Sequence, residues 1–375
     1  MQSIHLHPIN DPLEKVWIMF LSRAVSSRAR SRRMLATLAV VLLATVTGCA
    51  GGGDDSGGQA GEQGSPDTVR ILVNPGSNSH VPIYVAQDAG IFRENGLDVQ
   101  IVTNATAIQP LLTGDVDVAF PSPGQALIAN EQGHDLRIFM TLIDKVLQAV
   151  VVRDEPKSGD TEYPDVLRQL TGKTLGVTVR GGAVDLNLRY VLREAGLNPD
   201  SDVTIVPTGN ASAMLAAMQG GRVDGIMSLQ PITAQLVTKG SGHVLVDLAK
   251  GEGPEAMNQP FITGVAAKSF IDAKPEVLDK LVESLRQAQE YIHDSANKAE
   301  FADIVKKRVY STLTPSEIDQ ILAELGATTK TICFASKDLG NIAEVLITEG
   351  VVKKQADASS TIYTKAQEAA GCAAS

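Results

Sequence analysis

The residues best suited to chemistry in this 375-residue chain are polar, mostly uncharged and set between apolar runs. Six short segments stand out: Asn74–His80, Thr103–Asn104, Pro121–Pro123, Arg180–Gly182, Thr208–Asn210 and Leu229–Pro231. They are rich in Asn, Ser, Thr, Gly and Gln, which donate or accept hydrogen bonds without imposing charge. The Gly181-Gly182 pair opens a helical pattern, where backbone N–H groups can approach a bound group; an ordinary strand-to-helix turn uses the same pair. Ser122 and Asn210 suit ligand contact or a helix N-cap. His80 suits donation to a ligand or a solvated loop. Arg180 suits a carboxylate or sulfonate, or a surface charge. Asp185, in the first helical turn, complements the helix dipole unless a ligand carries an amine.

These groups can bind; little here can turn a substrate over. No GxSxG elbow, HExxH pair or P-loop occurs. His5, His7, His80, His134, His243 and His293 are scattered, and no set of residues has metal-ligand spacing. Neither catalysis, a metal nor a cofactor is expected.

The elements that must position the loops alternate. Strand patterns cover Val69–Val73, Val99–Val102, Val116–Phe120, Ile138–Thr141, Ala149–Arg153, Thr174–Val179, Val203–Pro207, Val223–Ser228 and His243–Asp247. Helical patterns fall at Ala105–Thr113, Gln125–Gln132, Ala183–Ala195 and Ser212–Gln219. In the third, Val184, Leu188, Val191, Leu192 and Ala195 share one face. Alternation of this kind predicts an α/β fold of parallel sheets with helices on both sides, and ligands then gather at the carboxyl ends of strands. The order Val99–Val102, helix, Gly114-Asp-Val-Asp117 recurs as Val203–Val206, helix, Gly221-Arg-Val-Asp224, which predicts two similar lobes. From Lys274 the pattern is helical: Glu276–Ser295, Ala299–Val309, Pro315–Leu325 and Asp338–Thr348. These helices read as packing elements, and Thr314-Pro315-Ser316-Glu317 is a strong helix start.

The N-terminus reads as an export leader. A basic run, Arg28 to Arg33, precedes the uncharged apolar stretch Leu35–Val46, which suits a signal peptide better than a membrane span. Val46-Thr47-Gly48-Cys49 resembles the lipobox of bacterial lipoproteins, whose cysteine is diacylated and becomes the new N-terminus. Ser31-Arg32-Arg33 weakly resembles a twin-arginine signal, and Met1, Met19 or Met34 can each serve as the start. Residues 49–67 form a Gly/Ser/acid-rich linker that spans roughly 25 Å as a flexible coil. Removing residues 1–48, with six basic and two acidic side chains, takes the net charge from −10 to −14. So acidic a body repels nucleic acid, and none is expected as a partner. Outside the cytoplasm Cys333 and Cys372 are expected to bridge, with two free thiols as the alternative.

The stretch from Pro82 to Phe92, PIYVAQDAGIF, followed by Glu94-Asn-Gly-Leu-Asp-Val99, resembles the signature of the nitrate, sulfonate, taurine and pyrimidine-precursor binding proteins of bacterial ABC importers. Leu112–Ala119 and Gly172–Val177 are similar to further landmarks of that family. The resemblance covers residues 69–270. It implies two doubly wound α/β lobes joined by two crossovers, expected near Val150–Arg153 and Gly264–Ala267, that close on a solute by a hinge; hinge closure of periplasmic binding proteins is a standard example of such motion. The implied organisation is residues 68–152 plus 265–375 in one lobe, with the C-terminal helices, and 153–264 in the other. Carried over from the family, the ligand-binding set is Asn78, His80, Asn104, Ser122, Gly181, Gly182, Asn210 and Gln230. The implied protein is a monomeric receptor, lipid-anchored at Cys49 outside the cell membrane, that hands a small solute to a permease and ATPase. A small anion such as nitrate or a sulfonate is favoured, because the loops offer helix N-termini and little aromatic surface. The alternatives are a thiamine-pyrimidine precursor or other heterocycle, and a synthase-like enzyme of the same superfamily.

Overall fold

The computed structural model describes residues 66–74, 77–104, 108–156 and 162–373. The expected leader, Cys49 and nearly all of the linker lie outside the described residues. The first strands are β1 (Asp67–Val73), β2 (Leu97–Thr103), β3 (Val118–Ala119) and β4 (Leu136–Ile143). Next come β5 (Ala149–Val152), β6 (Thr174–Val177), β7 (Thr204–Pro207), β8 (Gly225–Ser228) and β9 (His243–Asp247), and finally β10 (Ile262–Ala267). They form two five-stranded sheets, ordered β2-β1-β3-β10-β4 and β7-β6-β8-β5-β9.

Helices α1 (Val81–Asp88), α2 (Ile91–Glu94), α3 (Gln109–Thr113) and α4 (Pro123–Glu131) connect the first sheet. The second has α5 (Ala183–Glu194), α6 (Ala211–Gln219) and α7 (Ile232–Thr238). Seven helices follow β10: α8 (Lys268–Ala273), α9 (Pro275–His293), α10 (Lys298–Arg308), α11 (Pro315–Thr328), α12 (Ser336–Thr348), α13 (Ala358–Thr361) and α14 (Thr364–Ala369).

The sheets are mixed, where alternation predicted parallel ones. β1 pairs in parallel with β2 and β3, and β6 with β7 and β8. β10 runs antiparallel to β3 and β4, and β5 antiparallel to β8 and β9. Each antiparallel strand is the one through which the chain arrives from the other sheet. The passages themselves occupy residues 144–148 and 248–261. The expected crossover near Val150–Arg153 falls on β5 as far as Val152, and the one near Gly264–Ala267 lies inside β10. Both are continuous apolar runs, as befits strands covered on both faces. Gly264 serves close packing: a Cβ there would sit 2.5 Å from the Phe139 ring on β4.

The internal repeat has a physical basis. Asp117 Oδ2 accepts the Arg70 N–H of β1 at 2.8 Å, and Asp224 Oδ2 accepts the Thr174 N–H of β6 at 2.8 Å. Each carboxylate also pairs with an arginine, Arg70 at 2.8 Å and Arg153 at 3.5 Å. The two aspartates thus anchor equivalent strand entries.

The remaining helices enclose both sheets. Val277, Leu278, Leu281, Val282, Leu285 and Ala288 form the buried stripe of α9, which packs on α1. A capping box starts α11, where the Thr314 hydroxyl accepts the Glu317 N–H and the Glu317 carboxylate accepts the Thr314 N–H. Cys333 and Cys372 form a disulfide that ties the C-terminal segment to the chain before α12.

Candidate functional site

Two groups of side chains face each other's sheets. One surrounds a cavity of about 230 Å³ between the N-terminal ends of α4 and α5, closed by Val146, by Gln259–Phe261 of the second passage and by Ile342, Val345 and Leu346 of α12. Three expected residues, Ser122, Gly181 and Gly182, are on its wall. Its polar side chains include Gln125, Asn187 and Gln259, and among the described residues no charged side chain lines it. Asn187 donates to the Gln148 Oε1 at 3.0 Å, whereas Gln125 Oε1 is buried without a hydrogen-bond partner.

α5 brings Gly182 and Asn187 to that wall. Its apolar face packs on the second sheet as the periodicity predicts, but its polar face is buried as well, because α12 lies over it. Tyr190 donates to Glu344 at 2.5 Å and Arg193 to Glu349 at 3.0 Å across that contact. At the helix mouth the Asp185 carboxylate accepts the Gly181 N–H at 2.7 Å and pairs with Arg189 at 3.0 Å. The Gly181 donor is therefore already matched by an anion of the chain itself, and Arg180 donates to the Ile205 carbonyl at 2.7 Å.

The second group centres on Glu324 of α11. One carboxylate oxygen accepts from Asn78 Nδ2 at 3.3 Å and the other from Gln230 Nε2 at 3.1 Å. Asn78 belongs to the turn after β1, and Gln230 follows β8. One side chain thus joins the loops of both sheets. Gln230 is held by two further bonds: its Oε1 accepts the Ala234 N–H at 3.1 Å and its carbonyl accepts from the Tyr310 hydroxyl at 3.0 Å. Burial pushes the Glu324 carboxyl up to about 7, with Asp247 adding to the push and the two amide donors and Lys250 opposing it.

His80 stands beside Asn78 and is only 1% exposed. Its Nε2 lies 2.9 Å from the Phe120 carbonyl, which can only accept, so Nε2 carries the proton. Nδ1 is then a lone-pair acceptor, and it has no partner among the described residues. Burial lowers the imidazole to about 4, despite the opposing bond to Phe120, so the ring is neutral at physiological pH. Through Phe120, His80 is coupled to the segment that carries Ser122.

The eight expected residues thus divide. Ser122, Gly181 and Gly182 come together on the cavity wall; Asn78 and Gln230 meet at Glu324, with His80 alongside. Asn104 ends β2 with its N–H on the Val73 carbonyl at 3.2 Å, and Asn210 caps α6 by accepting the Ala213 N–H at 3.0 Å. Neither is on the wall of the cavity. Glu324, Tyr310, Gln125 and Asn187 were not anticipated. Among the described residues there is no cluster of three or more His, Cys, Asp or Glu able to hold a metal ion, and no helix long and apolar enough to cross a membrane.

Comparison with known proteins places this architecture. The chain is 24% identical over 263 residues to the nitrate/nitrite binding protein NrtA of a Nostoc species, covering 63% of this chain and 57% of that protein, so just over half of the relative is spanned. It is 24% identical over 240 residues to a 4-amino-5-hydroxymethyl-2-methylpyrimidine phosphate synthase, THI13, of Saccharomyces cerevisiae, covering 61% of this chain and 68% of that one. The alkanesulfonate-binding protein SsuA of Xanthomonas axonopodis superposes with a TM-score of 0.63 at 17% identity, over 80% of this chain and 99% of its own. The two sheets and their helices are therefore the periplasmic-binding-protein fold. A model of the NMT1-like family matches residues 65–306, and the chain belongs to that family.

Proposed function

We propose that this protein is the extracytoplasmic solute-binding component of an ABC importer, a receptor that captures a small molecule between its two lobes by hinge closure and delivers it to a permease and ATPase. The observation that carries this is the cavity of about 230 Å³ walled jointly by helices of both sheets. Such a cavity, apolar with a few convergent polar groups, is the usual form of a small-ligand site. Two of the relatives are named as binding proteins, for nitrate/nitrite and for alkanesulfonate, which supports the binding role more strongly than any one solute. The role is binding without turnover; the pyrimidine synthase relative supports catalysis as a second reading.

A thermal-shift screen of the full-length chain tests the receptor role across nitrate, sulfonates, amino acids, pyrimidines and flavins. A true ligand at 100 times its Kd adds about 2.7 kcal/mol to stability. Silence across all classes defeats the proposal, and conversion of any pyrimidine by the purified protein favours the enzyme. Anchoring belongs to the same proposal: Cys49→Ala is expected to move the protein from the membrane to the soluble fraction, and unchanged membrane retention refutes a lipid at Cys49.

A further inference from the structure

One seam joins α5 of the second sheet to α12, which also packs on α4 of the first. On each helix the residues involved recur every three or four positions, so each set shares one face. The first part of each stripe walls the cavity: Ala183, Leu186 and Asn187 on α5, and Ile342, Val345 and Leu346 on α12. Leu186 also joins the apolar cluster of the first sheet, together with Leu127, Ile342 and Leu346. Beyond the wall the seam turns polar. Tyr190 donates to Glu344 at 2.5 Å and Arg193 to Glu349 at 3.0 Å. None of these four residues lines the cavity. The Glu349 side chain is only 3% exposed, so it depends on its cation while the seam is shut. Arg193 has an alternative on its own side, because Asp200 lies 3.4 Å away. An arginine between two carboxylates, one on each side of the seam, keeps a partner whether the seam is shut or parted.

We propose that Arg193 with Glu349, assisted by Tyr190 with Glu344, is a latch that holds the two lobes closed and so sets solute retention from outside the cavity. The inference rests on the receptor reading and adds to it a control of closure. The four residues are positioning residues: they set α5 against α12 and do not touch the solute. Breaking the latch raises the population of the open form, and apparent affinity falls with the fraction of molecules that are closed.

Thiol labelling of the full-length chain reads opening without any solute. Val345→Cys puts a reporter in the seam and Val282→Cys puts one in the buried stripe of α9, both at buried positions. Modification at each is followed by peptide mass spectrometry. With Arg193→Met, the seam reporter is expected to label at least tenfold faster while the α9 reporter keeps its rate, and Arg193→Lys is expected to recover part of the slow rate. Glu349→Gln, which keeps the shape of the side chain, provides an independent variant if Arg193→Met does not fold, with the same direction expected. An unchanged seam rate in these variants overturns the latch. Acceleration of both reporters together also overturns it, because the pair then supports the fold as a whole and not closure. Either result leaves the receptor role standing, since no solute enters the experiment.

Discussion

The repeat along the chain predicts two similar lobes, yet the mouths of their two sheets differ. After β1 the segment Asn78–His80 is buried, at 1–3% exposure, and retains an acceptor without a partner. After β6 and β7 the corresponding turns are closed upon themselves: Asp185 fills the mouth of α5 and Asn210 caps α6. Asn78 after β1 and Gln230 after β8 meet on Glu324 of α11. A helix N-terminus attracts anions because its N–H groups are unpaired, and a chain can satisfy that attraction with its own carboxylate. Position alone therefore does not make such a terminus a ligand site.

The strongest way to break this contrast is Asp185→Ala. The carboxylate is 3% exposed and Arg189 is 11% exposed, so its loss leaves a nearly buried guanidinium with Asp200 at 2.7 Å as its one remaining acidic partner among the described residues. Removing one member of a buried pair is strongly destabilising, and about 3 kcal/mol is expected here in urea unfolding. The variant should also gain stability from sulfate relative to the parent chain, because the Gly181 N–H is released. A loss below about 1 kcal/mol with no response to sulfate would show that Asp185 does not close this mouth.

Much of the scaffold was legible because it is local. The stripe Val184, Leu188, Val191 and Leu192 is buried as its spacing requires, and the repeated Asp117 and Asp224 mark equivalent strand entries. What was missed is non-local. Glu324 lies one step from the apolar stripe Ile318, Ile321 and Leu325, so in sequence it is a solvated acid at the edge of a packing helix. Its partners are 246 and 94 residues away. β10 was missed for another reason: Gly264 reads as a hinge, whereas its lack of a side chain admits the Phe139 ring. Asp185 was read correctly as a companion of the helix dipole, but its consequence for Gly181 requires the turn geometry.

The next test separates the two buried titrating groups nearest Asn78, His80 and Glu324. Below 6.5 an unfolded histidine takes up a proton that His80 refuses until about 4, so its contribution to stability falls as pH falls. Above 4.5 an unfolded glutamate loses a proton that Glu324 keeps until about 7, so its contribution falls as pH rises. Near pH 5.5 the slopes are each about 1.2 kcal/mol per pH unit and opposite in sign. The parent chain hides both. Relative to it, Glu324→Gln should lose stability as pH falls through this window, and His80→Gln should gain it, with Asp247 and Lys250 beside Glu324 common to all three proteins. Parallel stability curves for the three would show that neither group is perturbed.

The smallest expected effect is at Asn210, and it bears most directly on what the second mouth is for. If the residue only caps α6, Asn210→Ala costs about 1 kcal/mol, Asn210→Asp restores most of it because aspartate caps equally well, and neither changes the response to any solute of the thermal-shift screen. If Asn210 instead holds the solute, the alanine and aspartate variants both lose binding, and the aspartate does so with its stability intact. That second pattern would place a ligand donor on the exposed side of the second sheet, and the asymmetry between the mouths would then be a property of the empty cleft alone.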